Sequence, residues 1–195
     1  MPVRDTGTEQ LIKDTAKRVF FAEGRLNATT QDIADAAGVS RTLVNYYYRS
    51  KDVLFEQVFK EGMQEFGQRI DQIILSPIPF KKKIIKFTEL FFAELIAYPY
   101  KEVFMLTEIN SHGFAFPHKE EKSTMPDFLK EVEAEMEKGT VKKMKPINFM
   151  LNLFSLMAYP ILTRPLFKIV FELSDKDYDK LLNDRKKMIL EMILN

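Results

Sequence analysis

The sequence predicts an all-α protein. An N-terminal three-helix helix-turn-helix domain covers residues 1–55 and a larger helical domain covers 56–195, about nine helices in all. Three observations carry this. Apolar residues recur at three- and four-residue steps along most of the chain, and strand-type alternation is sustained nowhere. Glycine and proline fall where those stretches should stop, at Gly24, Pro77, Pro79, Pro99, Pro126 and Gly139. Between Thr30 and Lys51, a short helix, the single Gly38 and a second short helix follow one another without a loop.

The elements follow in order. Leu11, Ile12, Ala16, Val19 and Phe20 share one face of a first helix over about Thr8–Glu23, with Gly24 past its end. Thr30 is placed to cap the second helix, in which Ile33, Ala34 and Ala37 offer a small-residue face for close packing. Gly38 supplies the left-handed residue that ends it, Val39 plugs the turn, and Ser40 caps the third helix. A fourth runs from Ser50–Lys51 to about Leu75, its apolar stripe including Leu54, Phe55, Val58, Phe59 and Phe66, with Pro77 and Pro79 beyond. Gly62 and Gly67 inside it predict close packing or a bend.

Phe80–Tyr98 and Tyr100–Asn110 read as the fifth and sixth helices, and Ser111–Thr124 as a loop. Pro126 opens a seventh helix and Gly139 closes it. An eighth covers about Lys145–Tyr159, a kinked stretch Pro160–Pro165 leads into a short helix Leu166–Leu173, and Ser174 caps a last one over Asp175–Leu194.

The chemistry concentrates near the N-terminus. From Val39 to Lys51 the chain has Arg41, Arg49 and Lys51, no acid, and the run Tyr46, Tyr47, Tyr48. Cations neutralise phosphates and tyrosine hydroxyls hydrogen-bond them, while a helix-turn-helix sets its second helix in the major groove of DNA. The net charge is only +1, so the electrostatic footprint must be local. Lys51 at a helix start sets a cation beside unpaired N–H groups, where a phosphate is held by both.

These residues resemble the TetR-type bacterial transcriptional repressors. The resemblance rests on Thr30, Ile33–Ala34, the Ala37-Gly38-Val39-Ser40 turn, the aromatic Tyr46-Tyr47-Tyr48 and Ser50-Lys51-Asp52. It departs at Thr42, where a small residue is usual, and at Asn45, where a tyrosine is frequent. It implies that Thr30, Ser40, Arg41, Thr42, Leu43, Asn45, Tyr46, Tyr47, Arg49 and Lys51 meet a double-stranded DNA operator, and that Tyr48 is a structural anchor. It also implies a homodimer through the last two major helices, packed as a four-helix bundle, with a small-molecule effector in the C-terminal domain. In those helices Leu151, Phe154, Ser155 and Ala158, and Met188, Ile189, Met192 and Ile193, form apolar stripes compatible with that bundle.

Of the 17 Phe, all but Phe20, Phe21, Phe55 and Phe59 lie beyond residue 60. A largely apolar ligand would be lined by Phe66, Phe87, Phe91, Leu95, Phe104 and Phe154, with Tyr98 and Glu108 orienting it. An ordinary helical core uses the same side chains. His112 and His118 match no metal-ligand spacing, and the chain carries no nucleophile elbow, phosphate loop or paired-Asp motif, so neither cofactor, metal nor enzymatic activity is expected. With no Cys and acids breaking the longest apolar stretch, Phe87–Tyr98, the chain reads as cytoplasmic and free of membrane. The expected function is a ligand-responsive DNA-binding regulator. A helical binding protein acting through a protein partner, without DNA, is the alternative.

Overall fold

The structure is a computed structural model that describes residues 6–112 and 123–194. Among them are ten α-helices and no strand, the one extended pairing being the antiparallel bridge Val141–Leu194. The chain forms two compact units, Met1–Phe66 with Ala97–Pro117, and Gly67–Ile96 with His118–Asn195.

In the first unit, α1 (Thr6–Lys17) continues into a π-helical turn, Arg18–Ala22, in which the Glu23 N–H reaches back to the Arg18 carbonyl at 3.0 Å. The wider turn buries the consecutive Val19, Phe20 and Phe21. These pack with Ile12, Ala16, Ile33, Ala34, Val44, Tyr48, Leu54, Val58 and Phe59 into one core. Helix α2 (Thr30–Ala37), α3 (Arg41–Tyr47) and the start of α4 (Lys51–Leu75) surround that core. The unit runs beyond residue 55 and takes in α6 (Pro99–His112), because Tyr98, Phe104 and Met105 pack against the same cluster. Lys13 and Glu61 tie α1 to α4 at 2.9 Å.

Two expectations are corrected here. Thr29 and not Thr30 caps α2: its hydroxyl accepts from the Asp32 N–H while the Asp32 carboxylate accepts from the Thr29 N–H at 2.7 Å. This reciprocal box needs an acid three residues after the cap, and Thr30 becomes the buried first helical residue. Of the close packing or bend expected at Gly62 and Gly67, the close packing is absent: a Cβ at Gly67 would meet nothing within 4 Å and one at Gly62 only Lys17 Cε at 3.9 Å.

The second unit packs α5 (Phe80–Ala97), α7 (Met125–Glu137), α8 (Pro146–Leu162), α9 (Arg164–Val170) and α10 (Asp175–Ile193). Phe80, Phe128 and Phe149 meet at its core, and the buried Lys83 reaches Glu131 at 2.9 Å and the Ile74 carbonyl at 2.7 Å. Gly139 closes α7 with φ 76°, as its position in the sequence predicts.

The chain bends within the predicted stretch Pro160–Pro165, by 67° between α8 and α9, but α8 ends at Leu162 and not at Tyr159, continuing through Pro160. A helical proline leaves the carbonyl four residues back without its N–H. Here the Arg185 Nε of α10 donates to that carbonyl, on Leu156, at 2.9 Å, and the Tyr178 hydroxyl donates to the Pro160 carbonyl at 2.5 Å.

The two predicted stripes each divide. On α10, Ile189 and Ile193 turn into the core while Met188 and Met192 remain exposed, and on α8 Leu151 and Ser155 face outward with Ile147 and Tyr159. No single described helix is long and apolar enough to cross a membrane; α8 and α9 together reach the length but are bent by 67°.

Candidate nucleic-acid interface

Helix α3 is short and is set by its ends. The Ser40 hydroxyl accepts from the Leu43 N–H at 3.2 Å, and Gly38 before it closes α2 in the left-handed region at φ 68°. Val44 and Tyr48 plug α3 into the core, both essentially inaccessible, so Tyr48 is the anchor the sequence predicts. At about 100° per residue, Arg41, Thr42, Asn45 and Tyr46 fall within one arc. All four are exposed, Tyr46 at 62%.

Leu43 and Tyr47 lie toward the other side and are half-buried, Tyr47 packing on the core cluster and meeting the Tyr46 ring edge-on at 5.3 Å. Arg49 is exposed in the link to α4, Ser50 caps α4 by accepting from the Val53 N–H at 3.2 Å, and Lys51 is half-buried at the helix start. The face therefore presents two hydrogen-bonding side chains of base-reading type, a guanidinium and a phenol, with further cations at its end. Thr30 is buried, 8% accessible as a residue, at the first position of α2.

Around this face, Asp32 also accepts from Arg25 at 2.9 Å, and its bonds from Thr29 hold the carboxyl below the usual range for an aspartate. The sequence reading missed Thr29, whose signal was the acid at position 32, one box-length on.

The residues expected to line a ligand site divide between the units. In the first, Phe66 and Tyr98 lie under the ammonium of the buried Lys101, at 5.1 and 5.9 Å from the ring centroids, and Phe104 packs on Phe55 and Phe59. In the second, Phe87, Phe91 and Phe154 form a ring cluster with centroids 5.3–6.1 Å apart, and Leu95 is buried on the same helix as Phe87. The Glu108 and His112 side chains, His118 and most of the predicted loop Ser111–Thr124 lie outside the described residues.

An all-helical chain whose N-terminal unit presents a capped, cation-flanked recognition helix has the build of a helix-turn-helix DNA-binding regulator. Residues 12–58 match the family of bacterial regulatory proteins described as the tetR family. The match covers the N-terminal domain, which is of the TetR type. No curated protein sequence matches it. Among solved structures it resembles a TetR-family transcriptional regulator from Haemophilus influenzae at 17% identity and TM-score 0.60, over 97% of this chain and 98% of that one. One from Marinobacter aquaeolei is similar at 17% identity and TM-score 0.59, over 100% of both chains. The regulator FadR from Bacillus subtilis, in complex with stearoyl-CoA, aligns at 18% identity and TM-score 0.55, over 93% of this chain and 97% of that one.

Proposed function

We propose that the protein is a homodimeric, ligand-responsive transcriptional regulator, a repressor that a small, largely apolar molecule releases from a palindromic operator. The observation that carries this reading is the exposed arc of Arg41, Thr42, Asn45 and Tyr46 on a helix whose opposite side is locked into a core. Arg41 and Asn45 are suited to base edges, guanine and adenine respectively, and Arg49 and Lys51 to phosphates. Leu43 and Tyr47, half-buried, support the face and touch DNA at its margin.

The outward Ile147, Leu151 and Tyr159 of α8, with Leu181, Met188 and Met192 of α10, supply an apolar surface for a second copy. A two-fold pair of recognition helices then meets half-sites about one turn of DNA apart. The effector is placed in the aromatic core of the second unit, around Phe87, Phe91, Leu95 and Phe154. A fold of this kind holds stearoyl-CoA in the Bacillus subtilis FadR, which supports a long or bulky apolar ligand. Because α4 continues the chain from the recognition helix, a ligand that shifts it changes the separation of the two readers. A coupling of about 1–3 kcal/mol then suffices for release.

Selection of genomic fragments with purified protein at two salt concentrations tests the reading. One palindromic site is expected, bound less tightly as salt rises. Arg41→Ala should weaken it by about 1–3 kcal/mol and relax its sequence preference, and Lys51→Ala should lower the salt slope by about one. Recovery of scattered weak fragments alone would count against DNA reading.

A further inference from the structure

Within the first unit, a cavity of about 570 Å³ is lined by Leu26, Asn27, the start of α4 and the middle of α6. That volume lies in the range of small-ligand sites, about 300–1,000 Å³. Its floor is aromatic: Phe104 meets Phe55 edge-on at 4.3 Å and Phe59 at 5.2 Å. Asp52 and Glu56, one turn apart on α4, line it with Asn27, Thr107 and Lys51. One cation against two carboxylates leaves the lining at −1.

Two features of this lining are costly unless something fills it. Like charges four residues apart disfavour a helix, and neither Asp52 nor Glu56 has an ion-pair partner among the described residues. Two half-buried phenyl rings, Phe55 and Phe104, beside an open space give up burial that a ligand's apolar body restores. The same groups select the ligand. Ring faces attract a cation that is poorly hydrated, and paired carboxylates neutralise it. An anion would meet both carboxylates, and a neutral molecule would leave them uncompensated.

We infer that this cavity binds a small organic cation with an aromatic or branched apolar body, its charge against Asp52 and Glu56 and its body on Phe55, Phe59 and Phe104. The site is separate from the apolar effector site placed in the second unit. It shares its lining with Lys51, so on the regulator reading an occupant is felt at a residue assigned to DNA phosphate.

Isothermal titration of the full chain, without DNA, tests binding independently of the regulator reading. The probes are phenylbutyltrimethylammonium, its uncharged tert-butyl isostere and phenylbutanoate. The cation should bind one per chain, the isostere more weakly and the carboxylate not at all. The shape-preserving pair Asp52→Asn with Glu56→Gln lies on the exposed side of α4 and should weaken the cation about tenfold while leaving the isostere unchanged. An unchanged melting temperature shows that the pair is folded. Equal affinity for cation and isostere, cation binding that ignores the double substitution, or no binding at millimolar cation would each overturn the inference.

Discussion

A Cβ built on Gly24 falls 2.7 Å from the ring of Tyr100, in a backbone at φ 71°. Gly38 has nearly the same backbone, φ 68°, with nothing within 4 Å. The two positions separate conformational strain from crowding. Gly38→Ala should cost the backbone term alone, about 1–2 kcal/mol, and Gly24→Ala more, because the Tyr100 ring must also move. Urea unfolding checks the order; equal losses would mean that Tyr100 yields freely. Both glycines are legible in the sequence as helix terminators, but the ring that crowds Gly24 comes from 76 residues along the chain, and no local pattern announces it. Asp32 gives a second residue-scale prediction. Its folded pKa is lowered, chiefly by the bonds from Thr29, so its contribution is present above the ordinary aspartate range and is lost as pH falls below that range, through the lowered folded pKa. The advantage of the natural chain over Asp32→Ala in a thermal melt should therefore hold at neutral pH and shrink on acidification. An advantage independent of pH would assign the effect to packing.

At the scale of elements, α8 shows why a proline need not end a helix. Pro160 lacks the N–H that would satisfy the Leu156 carbonyl, and Arg185 Nε takes its place from 25 residues further on. Sequence pattern ends the helix at Tyr159, before the proline; the compensating donor that carries it to Leu162 is a tertiary contact and is invisible to that pattern. A double-mutant cycle makes the point measurable. Arg185→Met should destabilise the natural chain by about 1 kcal/mol, since it strips the carbonyl of its donor. With Pro160→Ala, whose restored N–H can bond Leu156, the same substitution should cost clearly less, a coupling that chemical denaturation can resolve. Additive losses would show that Arg185 acts by packing alone. The helix-turn-helix is the opposite case. Its caps, its glycine and its apolar spacing are all local, so α2, α3 and the start of α4 lie where the sequence predicts them. Of the α3 residues expected to meet DNA, Arg41, Thr42, Asn45 and Tyr46 are exposed, whereas the half-burial of Leu43 and Tyr47 depends on how α3 rolls onto the core.

For the whole molecule, the proposed dimer turns on which apolar surface a second copy covers. The stripes on α8 and α10 are visible in the sequence, but each helix has two apolar sides, and periodicity does not say which one the subunit keeps. The structure divides them: Leu153, Met157, Ile189 and Ile193 are buried, whereas Ile147, Leu151, Tyr159, Leu181, Met188 and Met192 stay exposed. Large side chains left outside on both helices are expensive in water unless an equivalent surface meets them, and a stable interface needs about 1,000 Å² or more in total. Leu151→Glu with Met188→Glu places like charges across a two-fold bundle while leaving the inward residues alone. Sedimentation at micromolar concentration should then report a monomer in place of a dimer, with helical circular dichroism retained. Each monomer offers one recognition helix, so binding to a palindromic operator loses its second, intramolecular contact, and affinity should drop by about a hundredfold or more. Binding to an isolated half-site should be little changed. A double variant that remains dimeric would move the interface to another face, and one that is monomeric yet binds the full site undiminished would remove the two-fold argument altogether.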